Sequence, residues 1–432
     1  MSLMRLRSDT YLWLVILLGI ILRMTDVGLP DMSTDEVQLA LGKSAAWTPL
    51  AMQTIVAVQS LFGFETIIAR GVSVVIGIAT IPLIYFIARH FFEKRTALLA
   101  TAIAAIFPSH ILFSRLAYPS IYLCFAWLLT LFFYIKTDEQ ANKHLSAEAR
   151  AKAGTRESPW LIGLFLASVA ATFIKSQGLV FPGLLLLGLL IEKRKAVVRD
   201  EVAWILFLSL IPVGLYLLTH PGVLATVILY GGNMYGVSGF AQRIVELVST
   251  WWHILTLFAV FALVSLRWFR ALPWPVWALL ATAIVTGFLL GPAHEYYATH
   301  LILLALPITV LLMRFTPMLR ALSITALVVT TLLFLGPHTL APFAHHLYTK
   351  EHYWNTHADE VNEILKDTEE MFVLGYPGHH LRWYLEPKLL VGRFMNLEDK
   401  KGIFLILKKD ELADPPGTEV VYEDERIRIL KK

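Results

Sequence analysis

The sequence predicts an α-helical polytopic membrane protein with about eleven transmembrane helices and a small α/β domain outside the cytoplasm. Three observations carry that prediction. The 432 residues are 56% hydrophobic and only 16% charged, and the mean hydropathy of +0.62 is too high for an ordinary soluble chain. Apolar runs approaching the roughly 20 residues that cross a bilayer recur along most of the length. After Gly336-Pro337 the composition turns charged and mixed.

The first run, "MSLMRLRSDTYLWLVILLGIILRM", has the basic start and apolar centre of a secretory signal, but no small-x-small cleavage site follows. It reads as an uncleaved first span. Further runs lie at 67–88, 96–113, 118–135, 160–174, 178–191, 202–219, 249–266, 272–290, 299–313 and 321–336. The stretch 160–191 is interrupted by "KSQG". Each of its halves, at about 15 residues and 1.5 Å per residue, covers only about 22 Å, so both are expected to be tilted, kinked or flanked by thin membrane.

Orientation follows from the placement of cations, because short cytoplasmic loops collect Lys and Arg. With the N-terminus in the cytoplasm, the inner loops are "RHFFEKR", "KTDEQANKHLSAEARAKAGTRE", "EKRKAVVRD", "RWFR" and "RFTPMLR". Every cationic cluster between spans then falls inside. The outer side receives scattered cations: Arg23, Lys43, Arg70, Arg115, Lys175 and Arg243. This is the pattern of a multi-pass protein of the cytoplasmic membrane. The formal net charge of +4 gathers into no stripe that would bind nucleic acid. The single cysteine, Cys124, excludes an intramolecular disulfide and thiolate metal clusters.

Residues 1–336 thus read as the membrane domain, with a first outer loop at 25–66, and 337–432 as an extracytoplasmic domain. In the latter, "HADEVNEILKDTEEM" has helical spacing, while "MFVLGY", "KLLVGRF", "GIFLILKK" and "TEVVYEDERIRILKK" read as short strands. No internal repeat is present at the periods of solenoids or propellers.

The first outer loop contains "LPDMSTDEVQLAL", which sets Asp35 beside Glu36. "STDE" is a capping box, with Ser33 as N-cap and Glu36 at the third helical position, so a helix start accounts for Glu36 better than for Asp35. Arg23, Arg70, Arg115 and Lys175 each stand alone near an outer span end, where a charge is costly unless paired or functional. Snorkelling towards the headgroups accounts for each one separately. Four of them around one acidic loop point instead to a site that holds an anion at the membrane surface, and a lipid phosphate is the natural candidate.

The series "LGIILRMTDVGLPDMSTDEVQLA", "WTPLAMQTIVAVQSLFGFETIIARGVSVVIGIATIPLIYFIARHFF", "SHILFSRLAYPSIYLCF", "ATFIKSQGLVFPGLLLL" and "HEYYATHLILLALP" covers most of residues 10–315. In content and order it resembles the polyprenyl-phosphate-sugar-dependent glycosyltransferases of the GT-C fold, specifically the protein O-mannosyltransferase and lipid A aminoarabinose transferase superfamily. The resemblance implies that Asp35 is the general base on the acceptor hydroxyl, with Glu36 beside it. It assigns Arg23 and Arg70 to shaping the outer cavity, and Arg115 and Lys175 to the donor phosphate. Arg70 also counts as a candidate phosphate contact, and His294 and Tyr297 in the late outer loop are further contacts. Some relatives carry a basic residue before a Pro-Pro-Leu, where this chain reads Thr48-Pro49-Leu50, and Lys43 on the preceding amphipathic helix is the candidate to replace it. Several relatives also place a second acid shortly after the "SR" segment, where this chain has Ser120.

That chemistry asks for these residue types. The leaving group of a polyprenyl-phosphate sugar departs as an anion that Arg or Lys stabilises without a proton transfer. A carboxylate takes the proton of the attacking hydroxyl. A single displacement inverts the anomeric configuration, and a cationic pocket needs no metal and no other cofactor. The expected partners are a polyprenyl-phosphate-linked sugar, a glycan, lipid or protein acceptor, and membrane lipid.

Other features have simpler readings. The histidines of "PHTLAPFAHHLYTKEHYWNTH" follow no metal-ligand spacing. The aromatics of "GYPGHHLRWYLEP" suit a small core as well as a sugar-stacking surface, Trp160 and Trp251-Trp252 suit interface anchors, and the Gly-rich loop 220–248 suits a cover or a plain connection. Two other classes stand beside the transferase. A transporter or flippase would place charges near mid-membrane within repeated halves, and a non-catalytic binder of lipid-linked sugars would account for Ser120.

Overall fold

The computed structural model describes residues 2–25, 27, 34–42, 49–143, 159–193, 200–219, 273–289, 300, 302–314, 317, 318, 321, 324, 325, 353–366, 370–374, 388–391, 403–407, 417–423 and 427–431. The chain divides into two compact units. One comprises Met1–Val27 and Ser44–Phe343, the other Gly28–Lys43 and Ala344–Lys432.

The first unit is built of helices: α1 (Ser2–Met24), α3 (Pro49–Phe62), α4 (Thr66–Phe91), α5 (Lys94–Ala105), α6 (Pro108–Ser114), α7 (Pro119–Lys143), α8 (Pro159–Ile174), α9 (Val180–Lys193), α10 (Glu201–Leu208), α11 (Ile211–Thr219), α12 (Trp274–Ala283) and α13 (Ala305–Arg314); α2 belongs to the second unit. Residues 66–91 and 119–140 are long and apolar enough to cross a bilayer, and shorter apolar helices accompany them. On α1, Trp13, Leu14, Leu17 and Ile21 are exposed while Ile16 and Arg23 are buried. The buried face seats on α4, where Ile81 packs with Ile16 and Ala105.

Two breaks fall inside runs that the sequence reads as single spans. The run 96–113 is two helices, because Phe107 is extended (φ −67°, ψ 115°) before Pro108 opens α6. A proline forces its predecessor out of helical geometry and is tolerated in the first turn that follows. The run 202–219 is likewise interrupted between α10 and α11, with Pro212 in the first turn of α11. The "KSQG" interruption is a true break. Lys175 is extended at φ −161°, ψ 149°, and a 3-10 turn, Ser176–Leu179, leads into α9. Gly178 makes that turn possible, since a Cβ there would lie 2.0 Å from the Ala171 carbonyl oxygen. After Ala283, α12 passes into a π turn, Ile284–Leu289.

The second unit contains α2 (Thr34–Ala40), α14 (Tyr353–Ile364) and five strands: β1 (Glu370–Leu374), β2 (Lys388–Val391), β3 (Ile403–Leu407), β4 (Glu419–Glu423) and β5 (Ile427–Lys431). Their order is β2-β1-β3-β5-β4. The β1 strand pairs in parallel with β2 and β3, whereas β5 runs antiparallel to β3 and β4. Leu405 lies opposite Ile429 in the β3–β5 register, and both are buried with Ile427. In α2, Glu36, Val37, Leu39 and Ala40 are buried.

Candidate functional site

Four cations of the first unit gather at one end of its helices. Arg23, in the last turn of α1, is fully buried. Its Nη1 donates to the carbonyls of Gly19 at 3.1 Å and Ala105 at 2.9 Å, and its Nη2 to Ala104 O at 3.1 Å. The last carbonyls of α5 lack intrahelical partners and carry the negative end of its dipole, so the guanidinium satisfies them and is in turn stabilised. The fourth contact is Nη2 to His110 Nδ1 at 2.9 Å. Two glycines beside this side chain let its neighbours Ile81 and Ser114 pack close. A Cβ on Gly19 would meet Ile81 Cδ1 at 2.2 Å, and one on Gly77 would meet Ser114 Cβ at 2.5 Å with Arg23 Cδ at 3.5 Å.

Arg115, half-buried at the C-cap of α6, directs Nε and Nη2 to the Leu22 carbonyl, with Nε at 2.9 Å. Arg70, in the first turns of α4, is fully buried and its Nη1 donates to Val27 O at 3.0 Å. One turn further along α4, Ser73 bonds Tyr122 of α7 at 3.4 Å. Lys175 occupies the break between α8 and α9 and is 8% exposed. The break is tied to α7 by Trp127, whose Nε1 donates to Gly178 O at 3.1 Å. The Trp127 ring meets His300 edge-on with centroids 5.0 Å apart.

These contacts connect the ends of α1, α4, α5, α6, α7, α8 and α9 in one series, so Arg23, Arg70, Arg115 and Lys175 share one end of the bundle. Positive charges embedded among apolar helices raise the local potential far more than they would in water. The chemistry available to such an end is to hold an anion and to stabilise a departing negative charge. Among the described residues, no group of three His, Cys, Asp or Glu side chains is placed to hold a metal.

The sequence candidates distribute unevenly over this picture. Asp35 and Glu36 are consecutive residues of α2 in the second unit, and Glu36 is buried. The Asp35 side chain, Ser33, Lys43, His294 and Tyr297 lie outside the described residues, as do the loop 220–248 and Trp251-Trp252. Ser120 is buried at the start of α7. Trp160 packs its ring against Phe132 and Phe133. Sequence reasoning missed His110, Trp127 and His300. The signal for His110 was a lone ionisable group inside the apolar run "FPSHILF", a placement that marks function or a buried partner.

The geometry is that of a helical bundle with a cationic end, and the comparisons with known proteins bear on its fold. Residues 46–218 match the family model described as dolichyl-phosphate-mannose-protein mannosyltransferase. Among solved structures, ArnT from Cupriavidus metallidurans bound to undecaprenyl phosphate aligns over 98% of both chains at 15% identity with a TM-score of 0.65. Its apo form aligns over the same shares at 14% identity and the same TM-score. The Archaeoglobus fulgidus oligosaccharyltransferase AglB, in complex with an inhibitory peptide and a dolichol-phosphate, aligns over 94% of this chain and 70% of its own, at 12% identity and a TM-score of 0.54. No curated protein sequence matches. The chain therefore has the GT-C fold of multi-pass membrane glycosyltransferases, as the ordered motifs of its sequence imply.

Proposed function

We propose that the protein is a glycosyltransferase that moves a single sugar from a polyprenyl-phosphate donor to an acceptor hydroxyl on the extracytoplasmic face. The observation that carries this reading is the gathering of Arg23, Arg70, Arg115 and Lys175 at one end of the bundle. Undecaprenyl phosphate and dolichol-phosphate in the structurally similar ArnT and AglB support a lipid phosphate as the anion.

In this reaction Arg115 and Lys175 hold the donor phosphate, Arg70 adds a further charge, and His294, Tyr297 and Lys43 complete the contacts. The C–O bond between the anomeric carbon and the phosphate oxygen breaks as the acceptor oxygen bonds to the opposite face of that carbon. The polyprenyl phosphate leaves as an anion stabilised by the cations without being protonated. Asp35 accepts the proton of the acceptor hydroxyl, with Glu36 beside it in α2, and the anomeric configuration inverts. Arg23 shapes the cavity.

The test is transfer of radiolabelled sugar from a panel of polyprenyl-phosphate sugars in membranes holding the wild type or Asp35→Asn at equal abundance. The amide preserves the helix start while removing the base. The expected result is transfer by the wild type and a loss of about a hundredfold or more in the variant. Equal transfer by both removes Asp35 from the chemistry. Failure of the wild type with every donor moves a transporter, or a non-catalytic binder with Ser120 in place of a second acid, ahead of the enzyme.

A further inference from the structure

The short helix α6 cannot hold itself. Its seven residues, Pro108–Ser114, fall well below the length at which a helix is stable alone, and so its placement must come from its contacts. Two consecutive residues at the end of α1 hold it at both ends. Arg23 reaches His110 in the first turn of α6, and the Leu22 carbonyl receives Arg115 at the C-cap. The hydrogen-bond chemistry of the first contact is fixed. Arginine has donors only, so His110 Nδ1 accepts and the ring proton sits on Nε2. The same Arg23 also binds the last carbonyls of α5, which makes it the common anchor for the helix before the Phe107-Pro108 break and the helix after it.

We propose that His110 is a positioning residue for Arg115: its Nδ1 accepts from Arg23 and so sets the register of α6, which fixes the guanidinium at the far end of that helix for the donor phosphate. His110 touches no substrate in this proposal. Its effect passes through Arg115, and it rests on the reading of Arg115 as a phosphate ligand. Without the Nδ1 acceptor the first turn of α6 loses its hydrogen bond to α1 and is held by the packing of Ile111, Leu112 and Phe113 alone, so the Arg115 end of the helix, with its bond to the Leu22 carbonyl, is less firmly placed for the phosphate.

The test compares transfer kinetics and thermal stability of the purified full chain as wild type, His110→Asn, His110→Leu, Arg115→Ala and the double variant His110→Leu/Arg115→Ala. The Asn Oδ1 stands where Nδ1 stands in the ring, whereas Leu fills similar space without an acceptor. Should His110→Leu fail to accumulate, His110→Gln, which moves its amide towards the Nε2 position, takes its place in both backgrounds. The expected result is that His110→Asn stays within about threefold of wild type and that His110→Leu loses about tenfold in kcat/KM, chiefly through the KM for the donor. In the Arg115→Ala background the same change costs nothing more, because coupled residues are not additive. The proposal is overturned if His110→Leu and Arg115→Ala multiply their losses, or if His110→Asn is as impaired as His110→Leu. An inactive wild type is a different result: it removes the transferase reading, and this proposal with it.

Discussion

At the scale of single residues, glycines decide how closely the helices approach. Gly178 and Gly19 both lie against atoms that a Cβ would overlap, at 2.0 Å and 2.2 Å, yet the two sites differ in what must yield. Beside Gly178 it is the backbone carbonyl of Ala171, locked in the last turns of α8; beside Gly19 it is the terminal methyl of Ile81. Backbone cannot rotate aside, whereas a side-chain end can. Gly178→Ala is therefore expected to destabilise by about 1–3 kcal/mol or more and to raise the donor KM by moving Lys175, while Gly19→Ala costs less than about 1 kcal/mol. Thermal unfolding of the two purified variants reads the difference, and equal shifts would show that the α8–α9 break is more pliant than its packing implies. The sequence announces Lys175, because a cation in the "KSQG" interruption is visible without coordinates. It says little about what holds Arg23, Arg70 and Arg115, since, His110 apart, the acceptors described for them are carbonyls, those of Gly19, Ala104, Ala105, Val27 and Leu22. Every residue but proline offers the same N–H and C=O groups, so such partners leave no trace in residue identity.

At the scale of elements, the apolar runs translate into helices because a backbone in hydrocarbon has to satisfy its own hydrogen bonds. That is why the positions of α4, α7, α8 and α9 are readable from composition. Composition alone does not reveal where a run contains two helices. Pro108 and Pro212 carried that information, but proline also occurs without a break, as Pro82 does inside α4. The difference lies in neighbours that re-satisfy or redirect the freed backbone groups. The α8–α9 break has such a neighbour in Trp127. Trp127→Phe keeps an aromatic ring near His300 but deletes the bond to Gly178 O and leaves a cavity where the fully buried indole stood. The expected cost is about 2–4 kcal/mol of stability, with the donor KM rising several-fold and kcat little changed, because the loss falls on the placement of Lys175. A fall in kcat at constant KM would assign Trp127 to the chemical step instead. At the opposite end of the same helices, His90 of α4 and Lys136 of α7 both bond Glu139, each at 2.8 Å. All three are partly exposed, so that network contributes little to stability, and the cationic end depends on buried contacts instead.

At the scale of the whole molecule, the division into two units cuts across the order of the chain. Residues 28–43 follow the first helix in sequence, yet they form one compact unit with 344–432. A sequence reading places the first outer loop with the spans that flank it, since only contacts between residues far apart in the chain join it to the C-terminal strands. The joining has a consequence for α2, which carries Asp35 and Glu36. Its buried Val37, Leu39 and Ala40 give it the apolar face of a helix that depends on tertiary packing, and seven residues are too few to persist otherwise. If the unit is cooperative, α2 opens when the sheet opens. Ile429, fully buried in β5 opposite Leu405 of β3, is the residue with which to open it. Ile429→Ala removes buried methyl groups at a cost of about 2–5 kcal/mol, enough to lower the protection of every amide in the unit against hydrogen exchange. In the full-length variant, faster exchange is expected over 34–42 together with 403–407 and 427–431, while 66–91 and 119–140 keep wild-type rates. Exchange over 34–42 that stays at the wild-type rate while the sheet opens would separate α2 energetically from the C-terminal unit, and Asp35 would then be held by something other than the strands that close the chain.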